Sequence, residues 1–302
     1  MRIGVDLGGT RIKAALVNEG EVVRHVRVAT QAAEGPLAVL DNLVGAVGEL
    51  GHKADVIGVA IPGEVDHAGI CYRLPNVPGF ERYPLRSDLA RRLGCPVVID
   101  NDGTAAALAE LLFGWGAQYR SFLLVTLGTG IGGGLVLDGG LRRGRNGFAG
   151  EIGHVLVDTA PDAWPCACGR TGCMEAYAGT RGLLRLFREA GGGAQDLGEI
   201  FKSGGEAANQ VIEMLGWALG AGLASLNNAL DLDALVFTGG VAGSFARFEP
   251  ALRSAFAVRS FSGPQADVPM LTSRLGEHAG VIGAAWLPAA GQSRRTDRAK
   301  SA

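Results

Sequence analysis

One plan occurs twice in this chain: an apolar strand, a glycine turn, a second strand, and then helices. Residues 2–7 and 11–17 are apolar runs joined by Gly8-Gly9-Thr10, and residues 21–29 follow as a third strand, a meander that opens a sheet. Residues 122–127 and 132–137 repeat the arrangement around Gly128-Thr129-Gly130, and a hairpin-like Asp138-Gly139-Gly140 comes next. Because a strand follows each turn, neither is the strand–turn–helix of a dinucleotide fold, and without a Gly-Lys-Ser/Thr ending neither is a Walker A loop. The two halves align poorly residue by residue, so the duplication is one of structure. It points to an α/β chain with two sheets, each flanked by helices.

The remaining elements fit that plan. Residues 36–50 have helical periodicity, 56–61 form an apolar strand ending at Pro62-Gly63, and 85–93 read as a helix. Residues 97–99 are a short buried strand that ends in Asp100-Asn101-Asp102, before an Ala/Leu-rich helix at 104–113. In the second half, helices are expected at about 181–189 and 206–230, and a strand at 234–237 runs into Thr238-Gly239-Gly240. The small residues of 279–284 suit close helix packing and return the chain to the first lobe. The expected division is a smaller lobe of residues 1–113 plus 280–302, and a larger one of 114–279. The 48 glycines are clustered, which fits tight turns and close backbone–ligand approach.

Other classes are disfavoured. A formal charge of -2 implies no basic face for nucleic acid. The apolar stretch 214–230 is interrupted by Asn227-Asn228 and is too short and mixed for a membrane span, so it reads as a buried helix. A strand begins directly after Met1-Arg2 with no signal-peptide layout, and three of the five cysteines are clustered. Both point to a reducing, cytoplasmic setting rather than disulfides.

That cluster is Cys166-x-Cys168-x-x-x-x-Cys173, with Gly150-Glu151-Ile152-Gly153-His154 upstream and Glu175 downstream. Three thiolates and an imidazole are the donors of a closed, structural zinc site. Glu151 and Glu175 would be solvated surface acids if isolated; beside a metal loop they become candidates to bind a polar substrate. The glycine turns can form nests of backbone N–H groups for phosphate, and Asp6 places a carboxylate at the strand end just before the first.

These motifs together resemble the ROK family of sugar kinases and sugar-responsive repressors, within the actin-like ATPase superfamily. The resemblance rests on Asp6-x-Gly8-Gly9-Thr10-x-x-Lys13, Pro62-Gly63, Asn101-Asp102, residues 127–134, Gly150-Glu151-Ile152-Gly153-His154, the cysteine cluster with Glu175, and Thr238-Gly239-Gly240. It implies a two-lobed actin-like ATPase (ribonuclease-H-like) fold with duplicated mixed sheets, substrates held between the lobes, and a homodimer. It also implies an ATP-dependent hexose kinase acting on the primary hydroxyl of glucose, with N-acetylmannosamine or N-acetylglucosamine as the alternative acceptor. A non-catalytic sugar sensor is the competing class. A repressor needs an amino-terminal DNA-binding helix-turn-helix, for which a strand starting at Arg2 leaves no room.

The resemblance also implies roles. Asp6 would order Mg2+, and Gly8, Gly9, Thr10, Thr129 and Gly130 would face the phosphates of ATP. Gly239 and Gly240 would border the nucleoside. Lys13 would meet a phosphate or simply be solvated. Asp102 would be the general base, although from the residues alone an aspartate there is as well read as a helix cap. Gly63, Asn76, Asn101, Asp102, Glu151, His154 and Glu175 would surround the sugar. His154 would serve both zinc, with Cys166, Cys168 and Cys173, and a sugar hydroxyl. The segment 175–182 departs from the aromatic-rich version of many glucokinases and partly resembles that of amino-sugar kinases.

Overall fold

Strand β1 (Arg2–Leu7) alternates large and small: Ile3, Val5 and Leu7 point one way, Gly4 and Asp6 the other. The computed structural model describes residues 1–75, 77–194 and 196–300, without the side chains from 291 onward. Two alternating faces of one strand demand two different coverings, and the chain supplies both. β2 (Arg11–Asn18) and β3 (Glu21–Ala29) continue the meander, followed by α1 (Pro36–Glu49), β4 (Ile57–Ile61), the small hairpin β5 (Glu64–Val65) and β6 (Cys71–Arg73), α2 (Leu85–Leu93), β7 (Val97–Asn101) and α3 (Asp102–Phe113). The sheet order is β3-β2-β1-β4-β7, antiparallel within the meander and parallel from β1 through β4 to β7.

Ile3, Val5 and Leu7 pack with Ile12, Ala14 and Leu16 of β2 against Val39, Leu40 and Leu43 of α1 and Leu85 and Leu89 of α2. The opposite face takes α3 and the last helix, α10 (Ala279–Lys300). Here the sequence provides room instead of bulk. A Cβ added at Gly4 would run into the Val281 carbonyl and Ala285, and one at Gly58 into the Ala284 carbonyl. Gly283 of α10 sits as tightly against the Ala105 carbonyl of α3. The small residues of 279–284 therefore do what their composition implied.

The second sheet has the order β10-β9-β8-β11-β12. It comprises β8 (Phe122–Leu127), β9 (Ile131–Leu137), β10 (Gly140–Arg142), β11 (Ala234–Thr238) and β12 (Met270–Thr272). Its order mirrors that of the first through all five strands, with β8, β11 and β12 running parallel as β1, β4 and β7 do, and this is the duplication read from the sequence. Between β10 and β11 lie α4 (Met174–Ala178), α5 (Thr180–Glu189), α6 (Leu197–Ser203) and the 26-residue α7 (Gly205–Leu230); α8 (Phe245–Ala257) and α9 (Gly263–Ala266) follow β11. Gly216 and Gly220, one turn apart on α7, let Ala251 and Ala255 of α8 approach its backbone. Asn227 is buried near the end of α7, where its carboxamide accepts from Leu232 N and donates to the Gln265 carbonyl, so the polar break in the apolar stretch closes a helix end.

By contacts the chain divides into one unit of Met1–Arg120, Gly134–Gly150 and Arg274–Ala302, and another of Ser121–Gly133 and Glu151–Ser273. Among the described residues, no helix is long and apolar enough to cross a membrane.

Candidate active site

In the first unit the candidate residues collect at the carboxyl ends of β1, β4 and β7. Register places Asp6 opposite Lys13 across β1 and β2. The Asp6 carboxyl is pushed above the usual carboxylate range by desolvation, with Lys13 pulling it back down. It also abuts the start of α10, since a Cβ at Gly280 would lie 2.9 Å from its Oδ2. Lys13 Nζ is 3.4 Å from Glu277 Oε2 and 3.3 Å from the Glu277 carbonyl, and Arg27 reaches the same carboxylate at 2.8 Å. The turn after β1 is tight: Gly8 N donates to the Arg11 carbonyl at 2.9 Å, and Thr30 Oγ1 donates to the Gly8 carbonyl at 2.6 Å.

At the end of β7 the capping question is resolved. Asn101 is the N-cap of α3; its Oδ1 accepts from Gly103 N at 2.8 Å and Thr104 N at 3.2 Å, while its Nδ2 donates to the Gly63 carbonyl at 3.3 Å. Asp102 is the first residue of α3 and accepts from Gly103 N at 2.8 Å. Gly63 is small for its own chain's sake, because a Cβ would meet the Arg73 carbonyl and Leu74. Behind Asn101, the Asp100 carboxylate is buried and held by Arg143 Nε at 2.5 Å, a partner that follows β10. Sequence reasoning missed Arg143, and no local pattern marks it. Asn76 lies outside the described residues.

In the second unit, Gly128-Thr129-Gly130 ends β8. Gly128 N donates to the Gly130 carbonyl at 3.1 Å, Thr180 Oγ1 donates to the Gly128 carbonyl at 2.7 Å, and Ile131 N donates to Glu175 Oε2 at 2.8 Å. Gly239, after β11, has φ +95° and packs against the backbone of Leu127, so the third glycine turn is pressed onto the strand that leads into the second. Gly240 follows at the start of a 3-10 turn, Val241–Ser244.

His154, Cys166, Cys168 and Cys173 bring their donor atoms within 4.8 Å of one another. Cys168 and Cys173 sulfurs are 3.7 Å apart, and Cys166 Sγ is 3.7 Å from His154 Nδ1. A tetrahedral zinc with bonds of about 2.3 Å to sulfur places its sulfurs about 3.8 Å apart, close to the two 3.7 Å separations, and drawing in the widest pair from 4.8 Å completes the set. Burial and the neighbouring sulfurs push the Cys173 thiol up to about 12, and burial raises that of Cys166; a cation among them would reverse both. The other ring nitrogen of His154, Nε2, lies 3.9 Å from Glu151 Oε2. Glu175 touches both features, with Oε2 on the glycine turn and Oε1 3.9 Å from Cys166 Sγ. Tyr177 braces the loop: its hydroxyl donates to Asp158 and accepts from Trp164 N at 2.8 Å, and its ring stacks on Trp164.

Two glycine turns at strand ends, an aspartate opening a helix, and a cysteine-histidine loop carrying acids mark an α/β protein of duplicated sheets. The ROK family model matches residues 2–290. The chain is 33% identical to the glucokinase of Halalkalibacterium halodurans over 311 residues, 94% of each chain. To the N-acetyl-D-glucosamine kinase of Pasteurella multocida it is 32% identical over 308 residues, 95% of this chain and 99% of that one. The crystal structure of a ROK family glucokinase from Streptomyces griseus, in complex with glucose and AMPPNP, matches it with a TM-score of 0.83 at 32% identity, over 95% of this chain and 98% of that chain. The chain belongs to the ROK family, and its duplicated mixed sheets are the actin-like ATPase fold.

Proposed function

We propose that the protein is an ATP-dependent sugar kinase that transfers the γ-phosphoryl group to the primary hydroxyl of glucose. The observation that carries this reading is the pair of alike glycine turns ending β1 and β8. A triphosphate needs donors for separate phosphates, whereas a protein that only binds sugar needs no such turn. Relatives named as kinases, matched over nearly the whole chain, support it.

Asp102 accepts the proton of the attacking hydroxyl. Gly8, Gly9 and Thr10 face one part of the triphosphate and Thr129 with Gly130 the other, while Gly239 and Gly240 border the nucleoside. Glu151, Glu175, Asn101, the Gly63 backbone and His154 Nε2 hold the sugar hydroxyls, with Asn76 assigned to the same task. A cation beside Asp6 fits the chemistry there, since a partly desolvated carboxyl gains most from one. Mg2+, when bound, would neutralise charge on the phosphates, with Asp6 reaching it through water. Zinc, when bound to His154, Cys166, Cys168 and Cys173, would fix the loop and the tautomer of His154.

N-acetylglucosamine or N-acetylmannosamine is the second reading, favoured by the Pasteurella relative and by residues 175–182. A coupled ADP-release assay with MgATP across glucose, N-acetylglucosamine, N-acetylmannosamine, allose and fructose tests both. Turnover on glucose above the other four supports the first reading, and turnover on an N-acetylhexosamine replaces it with the second. Silence on all five, with sugar-dependent thermal shifts intact, would leave a sensor.

A further inference from the structure

The two glycine turns share a device that no motif announces. In each, the carbonyl of the first glycine accepts a hydrogen bond from a threonine hydroxyl outside the turn: Thr30 to Gly8 at 2.6 Å, and Thr180 to Gly128 at 2.7 Å. The threonines come from unrelated places, one just after β3 and the other opening α5. Thr180 is not capping its helix, since its hydroxyl donates where a cap would accept.

The consequence follows from peptide geometry. The carbonyl of Gly8 and the N–H of Gly9 belong to one planar trans peptide and point in opposite directions, as do those of Gly128 and Thr129. Fixing the carbonyl therefore fixes the N–H. The Gly8–Gly9 peptide, with glycine on both sides, flips at little steric cost, and the Gly128–Thr129 peptide has that freedom on one side; a flipped one would present an oxygen where a phosphate needs a donor. We propose that Thr30 and Thr180 are positioning residues that, by holding the Gly8 and Gly128 carbonyls, aim the Gly9 and Thr129 N–H groups at the phosphates of the nucleotide. This rests on the reading of the turns as phosphate sites.

Calorimetric titration with MgATP tests it on wild type, Thr30→Val, Thr180→Val and the corresponding serine variants, with melting temperatures recorded beside. Valine keeps the shape and removes the donor; serine restores the donor. Each valine variant should bind MgATP about tenfold more weakly, as expected for a lost part-buried hydrogen bond. Each serine variant should stay near wild type, and melting should move by no more than about 3 °C. Valine variants that bind MgATP like wild type, whatever their melting temperature, overturn the proposal while the turns remain phosphate sites. Wild-type protein that ignores MgATP removes the reading and the proposal together. Should the buried Thr30→Val not fold, Thr180→Val decides alone, because Thr180 is partly exposed.

Discussion

At the scale of single residues, adjacent side chains at the end of β7 divide their work. Asn101 caps α3, and Asp102 sits one position further on. Changing Asp102 to Asn keeps the shape and removes the base, so kcat should fall by about 10²–10⁴ with sugar affinity within a few-fold of wild type. Steady-state kinetics beside a sugar titration checks this; a variant keeping most of its kcat would take Asp102 out of the role. These residues stood out in the sequence because their chemistry is carried by residue type: an acid after a buried strand, cysteines in one loop, glycines at strand ends. What the sequence left open is whether Asp102 is a helix cap or a base; Asn101, read only as a sugar contact, turns out to hold the cap position. Thr30 and Thr180 escaped because a hydroxyl's partner, a carbonyl 22 or 52 residues away, leaves no spacing to read.

At the scale of elements, long-range pairs decide how firmly the candidate residues are held. Arg143 follows β10 and pairs with the buried Asp100 of β7. Arg143→Met would strand that carboxylate, and breaking one side of a buried pair costs about 3–5 kcal/mol, so the denaturant midpoint should drop clearly. Gly58→Ala would drive a methyl into the Ala284 carbonyl of α10, and the expected loss is at least about 1–3 kcal/mol by the same measurement. In α2, the Asp88 carboxyl accepts from Tyr83 at 2.6 Å and from Arg92 and Arg91, contacts that hold its pKa below the usual range against the opposing effect of burial. A depressed native value means that its stabilisation is complete above about 3.9, the unfolded value, and is lost as pH falls through the lowered one. Melting temperature between pH 5 and pH 2 should therefore fall less steeply in Asp88→Asn than in wild type. Helices α2, α5 and α7 were legible, α2 to the residue and the other two within one, because their apolar period is regular. The two-residue β5 and three-residue β6 and β12 carry too few side chains to show a period. Helix α8 was not read from the sequence; it runs through Pro250 although that residue lacks the donor.

For the whole molecule, the metal loop is the natural test of integrity. The donor set predicts about one zinc per chain by elemental analysis. Stripping it with a strong chelator should lower the melting temperature and, if Glu175 transmits the disorder to the turn it holds, weaken MgATP binding as well. Zinc-free protein with unchanged melting and full activity would refute the structural role. The duplication itself was readable because strand, glycine turn and strand recur in order. The division by contacts falls within the second sheet, whose β9 contributes residues to both units.

The packing of α10 onto Gly4 and Gly58 has a consequence for synthesis. The glycine floor it covers leaves the ribosome well before its cover does. During translation that face of β1 and β4 lacks its α10 cover while Ser121–Gly133 and Glu151–Ser273 emerge. The unit begun first is thus finished last, and a nascent chain stalled before residue 279 would display an open sheet face for chaperones to bind.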